Sequence, residues 1–457
     1  MRVLSDPQKT LSFCAIAPSA KKKWDKIDEI LNACPQIGAL VFHDLTTCPN
    51  GAKKKNTGNK GMSADAVLRF AIVKMTFQLS YRQLQERVDD SIVLRAFCGY
   101  PFKRIPNFRT IEENIKQLRP ATMEQINAII VQYAMKQGLE EGRDVRLDTT
   151  AVESNIHHPT DATLLWDVVR VVTRIEAECE RIAPDLHGQC HNHCLAAHKL
   201  LLKIVNDTRE KTRVERYREL IKLAQKAVGY GEVALAHVLP EGGVTGCNAW
   251  VERIELAAAL EEVLPLADTV IDQATRRVLK GEQVPVDQKI VSLFEPHTDI
   301  LVKGKRNVVF GHKILISGGK SNLILDCIIS RGNPADSEQF ITPLERLSTV
   351  LGHMPVCVAT DGGFASKDNA ERAQEMGVEV VAFSSPKGSK IVEAIRETRV
   401  YKRLCTWRGG IEGIISAVKR AFGLDRCTWS GFESFKAYVQ CGVLAFNLQQ
   451  IVRHLLT

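Results

Sequence analysis

The order in which strand-like and helix-like segments follow one another limits the folds open to this chain of 457 residues. Residues 144–152, DVRLDTTAV, are rich in β-branched side chains and predict a strand. Residues 160–280 are charged and helical in pattern and carry no strand signal. Strand signals return only from Val284 onward. We therefore expect an α/β domain over residues 141–457, interrupted by a helical insertion over 160–280.

After Val284 the pattern alternates between strands and helices. VVFGHKILISGG and SNLILDCIISRG predict two strands joined at Gly318-Gly319, a hairpin signal. PVCVATDGG and VEVVAFSS predict two buried strands, each preceded by a helix, and a last helix is expected from about Gly409 to Phe422. Without the insertion, this is the order of a ribonuclease-H-like mixed sheet flanked by helices.

Residues 1–140 predict an all-helical N-terminal domain for DNA binding or dimerisation. Two capping boxes support helix starts, Ser80 with Gln83 and Thr110 with Glu113. Short helices separated by tight turns are common in DNA-binding domains. Four arginines are available for phosphate contacts: Arg82, Arg87, Arg104 and Arg109. A helical packing or dimerisation domain explains the same pattern equally well.

Composition permits a polyanionic partner without requiring one. Net charge is +8, from 61 basic and 53 acidic residues. The first residues hold no sustained apolar run of the kind a signal peptide needs, and no stretch approaches a membrane span. We therefore expect a cytoplasmic protein without a membrane partner, whose 13 cysteines are reduced thiols.

Three acidic residues fall on different elements that a ribonuclease-H-like topology would bring to one edge of the sheet. Asp148 lies on the first strand, Asp361 at the end of the fourth, and Glu412 on the last predicted helix. Phosphodiester cleavage builds negative charge on the attacking and leaving oxygens, which two hard cations can stabilise. Carboxylates suit Mg²⁺, with Mn²⁺ as a substitute. Each residue alone has an ordinary explanation as a turn, strand-end or surface residue, whereas the set predicts a metal-dependent catalytic site.

Residues 198–226 carry nine Lys or Arg against four Asp or Glu. Arg213, Arg216 and Lys222 in this segment are candidates for contacts with DNA phosphates. A surface helix of mixed charge is the alternative and the more common explanation of such a run.

The segment from Arg408 to Lys419 resembles the YREK signature of insertion-sequence DDE transposases. Three residues separate Arg408 from Glu412 and six separate Glu412 from Lys419, as in that signature. These steps place the three side chains on one helical face, so that two cations suited to phosphate flank a metal ligand. The expected tyrosine is replaced by Cys405.

Further segments are similar to the same bacterial transposases. LDTTAVESNIHHPTDATLLWD resembles their first-Asp block, ATDGGF their second, and residues 408–426 their final block. LSYRQLQERVDDSIVLRAF is similar to their N-terminal domain. The resemblance implies Mg²⁺-dependent cleavage and strand transfer. The implied partners are double-stranded DNA with terminal inverted repeats, a target DNA, and further copies of the chain in a synaptic complex.

Two further groups of possible metal ligands have ordinary structural explanations. His187, Cys190, His191 and Cys194 would share one face if helical, which suits zinc, but the spacing matches no standard zinc motif. Asp326 is a candidate fourth acidic neighbour, with a solvated position as its alternative.

Two tryptophans flank the Glu412 helix. Trp407 and Trp429 could stack on an unpaired base, with core packing as the default role of tryptophan.

Two other functions are consistent with the same sequence. A metal-dependent nuclease of this fold would cleave DNA without joining it. An inactive or domesticated DNA-binding protein would keep the acidic residues as relics. A generic metal phosphatase explains the basic segment 198–226 poorly.

Overall fold

A computed structural model describes residues 18–48, 52–54, 61–238, 247–303, 307–385 and 390–456. The first 17 residues, in which the sequence predicts no signal peptide, lie outside these ranges. The chain divides into two compact units. The main unit comprises Met1–Ser154 and Gly311–Thr457, and the inserted unit comprises Asn155–Phe310. No helix among the described residues is long and apolar enough to span a membrane.

The N-terminal part of the main unit is helical. Its helices are α1 (Pro18–Asn32), α2 (Gln36–Thr46), α3 (Ala64–Phe77), α4 (Tyr81–Asp90), α5 (Ile92–Phe97), α6 (Phe108–Ile115) and α7 (Pro120–Lys136). The capping box of Ser80 and Gln83 at the start of α4 is confirmed. The second expected box is wrong, because α6 begins at Phe108 and its N-cap is Asn107, whose side chain accepts a hydrogen bond from the Arg109 amide.

A mixed sheet forms the centre of the main unit. Its strands are β1 (Asp144–Glu153), β3 (Asn307–Gly318, which begins in the inserted unit), β4 (Ile324–Ile329), β5 (Cys357–Thr360) and β6 (Val380–Phe383). β1 pairs antiparallel with β3 and parallel with β5. β4 pairs antiparallel with β3, and β6 pairs parallel with β5. The spatial order is therefore β4, β3, β1, β5, β6, with β1 in the middle.

Six helices that follow the strands along the described part of the chain complete the main unit. They are α12 (Ile341–Leu351), α13 (Lys367–Glu375), α14 (Lys390–Ile395), α15 (Arg399–Arg408), α16 (Gly410–Phe422) and α17 (Phe432–Leu456). All four residues of β5 are buried, as expected for a strand covered on both faces. The long helix α17 lies in the core and packs against α3 and α7.

The inserted unit is built mainly from four helices. They are α8 (Asp161–Ile182), α9 (Cys194–Asn206), α10 (Glu210–Val238) and α11 (Cys247–Ala274). Apolar side chains from all four form its core, such as Leu165, Ala197, Leu220 and Leu260. A short strand, β2 (Asp299–Lys303), pairs with β3.

The helical face proposed for zinc does not form. Residues 187–193 lie in turns and irregular structure, and α9 begins only at Cys194. His187, Cys190 and His191 therefore do not follow the helical spacing on which the zinc hypothesis depended.

One buried hydrogen-bond pair provides a test of how α17 holds the sheet. Asn447 donates to the Ile324 carbonyl at 2.8 Å and accepts from the Ile324 amide at 2.9 Å. Asn447→Ala should lower the free energy of unfolding by roughly 2 kcal/mol or more, because both backbone groups lose their partner in a buried position. Urea denaturation measures this difference. Gln450→Ala on the same helix is the control and should cost far less. Equal losses would contradict the role given to Asn447.

Candidate active site

The sheet brings two of the three predicted acidic residues side by side. Leu147 of β1 is paired with Thr360, the last residue of β5, so Asp148 and Asp361 occupy the next position of the same parallel register. Neighbouring strands lie about 4.8 Å apart. Asp361 turns the chain into a short 3-10 helix, where its carboxylate accepts a hydrogen bond from the Gly363 amide. Asp361, the first residue after β5, therefore lies next to Asp148.

Arg408 joins the third acidic residue to the first. One terminal nitrogen, Nη1, lies 3.7 Å from Asp148 Oδ2, and the other, Nη2, lies 3.1 Å from Glu412 Oε1. The Arg408 side chain is only 18% exposed, whereas that of Glu412 is 69% exposed. Asp148 and Glu412 therefore approach each other with a guanidinium between them.

The helix that carries Glu412 is shorter than the YREK spacing suggests. Arg408 is the last residue of α15, and α16 begins at Gly410. Gly409 stays in the right-handed helical region, so the ion pair still spans four residues as it would in one helix. Lys419 lies two turns beyond Glu412 and is 3.7 Å from Asp425.

The electrostatic surroundings of Asp148 disfavour its charge. Burial is the main cause of a raised pKa of this carboxyl, and the charges of Asp361 and Asp336 raise it further. The Thr149 amide and Arg408 act in the opposite direction. A carboxyl whose ionisation is opposed by two neighbouring acids is typical of a site made for a cation.

Arg146 fixes the junction of α15 and α16 to the central strand. It lies two residues before Asp148, on the same face of β1, and is buried. Nη1 donates to the Trp407 carbonyl at 3.0 Å, Nη2 donates to Asn322 Oδ1 at 2.5 Å, and the Trp407 ring covers the guanidinium at 4.7 Å. A side chain on Gly410 would collide with Arg146 Nη1 at 2.2 Å. The start of the Glu412 helix can therefore lie directly on the strand of Asp148.

Asp336 was not identified as a site residue from the sequence. It begins a short 3-10 helix, Asp336–Gln339, after β4, and it contributes to the raised pKa of Asp148. Its Oδ1 accepts a hydrogen bond from Thr149 Oγ1 at 3.2 Å and forms an ion pair with the ammonium of Lys313 at 2.6 Å. The segment NPADSEQF indicates only the start of a helix, and nothing in it signals proximity to β1.

Asp326, the sequence candidate for a fourth acidic neighbour, is elsewhere. It is aligned with Ser317 and hence with Leu147, so its side chain leaves the sheet on the face opposite to Asp148. There it forms a two-point ion pair with Arg346, at 2.7 and 2.8 Å. The expectation of either a site neighbour or a solvated position was wrong.

The oxygen donors at this edge fit Mg²⁺ or Mn²⁺ in kind. Asp148, Asp361 and Glu412 offer carboxylates only, the ligands these ions prefer. Gly363 lies close to both Asp361 and Asp336. A Cβ added at this glycine would lie 3.1 Å from Asp361 Oδ1 and 2.9 Å from Asp336 Oδ2. As the side chains stand, no three His, Cys, Asp or Glu groups in the described part of the chain are close enough to hold one ion. Arg408 takes up the space between two of the three.

The basic residues predicted to bind DNA differ in their surroundings. Arg213 and Lys222 are exposed on α10. Arg216 instead lies 2.7 Å from Asp207 and donates to the Lys203 carbonyl at 2.7 Å. It therefore ties α10 to the end of α9.

The four N-terminal arginines are also exposed. Three of them stack on phenylalanine rings, Arg82 and Arg109 on Phe108, and Arg87 on Phe77.

The two tryptophans differ in burial. Trp429 is buried against Tyr438, with ring centroids 5.5 Å apart, which confirms the packing alternative for this residue. Trp407 is half-buried and packs against Arg146. His157 lies in the inserted unit, 3.4 Å from Asp167.

Two family models match the chain. One, described as a transposase DDE domain, matches residues 286–448, which include Asp361 and Glu412. The other, described as a transposase domain, matches residues 16–117. Asp148 lies between the two matches. No curated protein and no solved structure matches the chain. The two models together cover more than half of the sequence, and the chain belongs to the DDE transposases of insertion sequences.

Proposed function

We propose that this transposase cleaves DNA at the inverted-repeat ends of an insertion sequence and joins them to a target, with Mg²⁺ as cofactor and Mn²⁺ as a substitute. The observation that supports the proposal is that Asp148 lies beside Asp361 in the register of β1 and β5, while Arg408 pairs with both Asp148 and Glu412. The three acidic residues come from a central strand, the end of its parallel neighbour and a late helix. These three residues would hold the metal ions.

We infer that the catalytic domain is ribonuclease-H-like. The sheet order supports this, because the second strand of the main unit runs antiparallel to the first and the fourth runs parallel to it. The proposed domain boundaries remain 1–140 for the helical N-terminal domain and 141–457 for the catalytic domain, with the insertion over 160–280.

The side chains around the three acidic residues suit the chemistry of phosphodiesters. When bound, two divalent ions would stabilise charge on the attacking and leaving oxygens and activate the nucleophile. Arg408 would release Asp148 and Glu412 to those ions and turn its guanidinium to a DNA phosphate, which it can bind through two nitrogens. Lys419, about two turns along α16, would hold the phosphate of the cleaved end.

DNA contacts away from the site are proposed for Arg213 and Lys222, which are exposed on α10. The exposed arginines of α4 and α6 are held in place by ring stacking and suit a DNA-binding N-terminal domain. The proposed partners are double-stranded DNA with terminal inverted repeats, target DNA and a second copy of the chain in the synaptic complex.

Removing any one of the three carboxylates should abolish cleavage. We expect Asp148→Ala, Asp361→Ala and Glu412→Ala each to lose Mg²⁺-dependent nicking of DNA that carries the element ends, while gel-shift binding persists. Asp368→Ala, a 76% exposed acid on α13, is the control and should cleave normally. A variant that keeps normal cleavage would remove its residue from the set. Cleavage without joining in the wild type would favour the nuclease alternative.

Stability measurements separate loss of chemistry from loss of folding. The pKa of Asp148 is raised in the folded state, so the unfolded chain ionises at lower pH than the folded protein does. The charge of Asp148 therefore lowers stability at pH values above the folded-state pKa. It has no effect at pH values well below the ordinary pKa of an aspartate. Asp148→Asn should therefore raise the melting temperature at pH 7, and the difference should shrink as the pH falls toward that range. A lower melting temperature at pH 7 would show that the Arg408 ion pair outweighs burial.

The salt dependence of DNA binding tests the basic face of α10. Each lost phosphate contact lowers the slope of log affinity against log salt by about 0.9. Arg213→Gln with Lys222→Gln should therefore flatten the slope by up to about 1.8. Arg216→Gln, which breaks the ion pair with Asp207, is the matched comparison. It should lower the melting temperature and leave the salt slope nearly unchanged. An unchanged slope in the double variant would assign the segment to structure alone.

Arg408 and Lys419 distinguish a DNA-joining site from a simple acidic metal site. Arg408 reaches two carboxylates with two different nitrogens, which lysine cannot reproduce. Arg408→Lys should impair strand transfer of a precleaved end, and Lys419→Ala should weaken engagement of that end. Mn²⁺ affinity should hold or rise in both variants. Arg408→Lys shortens a side chain that competes with the metal for the carboxylates, and Lys419→Ala removes a nearby positive charge. Normal transfer with a collapse of metal binding would overturn the YREK interpretation.

A further inference from the structure

Asp336 is held at the active-site edge by two strands of the sheet. Its Oδ1 forms an ion pair with Lys313 on β3 and accepts a hydrogen bond from Thr149 on β1. Lys313 is itself fixed, because its ammonium also donates to the Pro334 carbonyl at 2.8 Å and its side chain is only 13% exposed. The position of the Asp336 carboxylate is therefore set by β1, which lies next to Asp361, and by β3, which pairs antiparallel with β1.

The second oxygen of Asp336 faces the space beside Asp361. A Cβ placed on Gly363 would lie 2.9 Å from Asp336 Oδ2 and 3.1 Å from Asp361 Oδ1. The backbone of Gly363 is not in the left-handed region, so its conformation admits other residues. The space, rather than the backbone, is what requires glycine at this position. Two carboxylate oxygens thus border a small volume that this glycine leaves open.

Two such oxygens repel each other unless a cation lies between or beside them. Lys313 neutralises Asp336 from the Oδ1 side, away from this space, and Arg408 lies with Asp148 and Glu412. In the described part of the chain no Lys or Arg pairs with Asp361 or with Asp336 Oδ2, so the charge of these two oxygens is left for a bound cation to balance.

We propose that Asp336 is a fourth acidic residue of the active site. It offers Oδ2, directly or through a water molecule, to the divalent cation held by Asp361. Lys313 and Thr149 are positioning residues that aim this oxygen. The inference rests on the proposed metal-dependent function. The competing explanation is that Asp336 only ties the loop after β4 to the sheet.

Cation binding to the full-length protein in the absence of DNA provides the test, with Mn²⁺ affinity measured by titration calorimetry and folding by thermal unfolding. Asp336→Asn keeps the shape and one acceptor oxygen but removes the charge, and should weaken Mn²⁺ binding about tenfold or more. Glu338→Gln is the matched control, because Glu338 lies on the same turn but bonds the Ala335 amide. It should bind Mn²⁺ as the wild type does.

Gly363→Ala tests the space independently of charge. Its added methyl group would fall between the two carboxylates and should also weaken Mn²⁺ binding about tenfold or more. Gly413→Ala is the control for a glycine substitution beside a metal ligand, because a Cβ there meets nothing within 4 Å. That variant should keep its Mn²⁺ affinity, and its melting temperature should hold or rise, because alanine favours a helix more than glycine does.

The outcomes separate the two proposals. Loss of Mn²⁺ affinity in Asp361→Asn together with unchanged affinity in Asp336→Asn would overturn the role of Asp336 and leave the proposed function intact. Unchanged affinity in both variants would overturn the metal site itself. A lower melting temperature of Asp336→Asn with normal Mn²⁺ affinity would identify Asp336 as a loop tie only.

Discussion

The buried guanidinium of Arg146 determines where α16, the helix of Glu412, can lie. Burial lowers the pKa of this side chain, yet it remains a cation because its ordinary pKa is so high. Its charge must therefore be satisfied inside the protein, and the partners are the Trp407 carbonyl, Asn322 and the Trp407 ring. Each partner belongs to a segment distant in sequence. β1, the turn after β3 and the end of α15 are thereby fixed to one point, and Asp148 is two residues away.

A second constraint is the mutual repulsion of the acidic residues at that edge. Asp148, Asp361, Glu412 and Asp336 place up to four negative charges near one strand end, and two internal cations oppose them. Arg408 lies between Asp148 and Glu412, while Lys313 lies beside Asp336. Without metal, these cations limit the cost of bringing the carboxylates together, since an unpaired charge in a partly buried site is expensive. They are held differently, because Lys313 also donates to the Pro334 carbonyl, whereas Arg408 pairs with the carboxylates of Asp148 and Glu412.

The sequence predicted the strands and the order of elements well because both depend on local pattern. β-branched runs became β1, β5 and β6, and the hairpin signal at Gly318-Gly319 became the turn between β3 and β4. The prediction of a site at Asp148, Asp361 and Glu412 rests on the same pattern, and the register of β1 and β5 places the first two side by side.

The errors arose where the answer depends on a contact between segments distant in sequence. Asp326 looked suitable by its strand, but a register that aligns it with Leu147 turns it to the other face. Asp336 looked like a helix start, and its position beside β1 depends on an ion pair with Lys313 and a hydrogen bond from Thr149. The ion pair of Arg216 with Asp207 was also not foreseen, while its contact with DNA phosphate stays a prediction. Side-chain pairing across such distances is decided by packing, which a local pattern does not contain.

The glycines of the site show how packing, rather than backbone conformation, restricts these positions. Gly410 leaves room for Arg146 and Gly363 for the carboxylates of Asp336 and Asp361, and neither has a positive φ. A methyl group at Gly410 would push α16 away from β1, and so move Glu412 from Asp148 while all the proposed site residues remained present. If these carboxylates hold metal ions as proposed, such a shift would impair metal binding, because ligands must be placed to within a fraction of an ångström. The spacing between β1 and α16 is therefore as much a part of the proposed site as its acidic residues are.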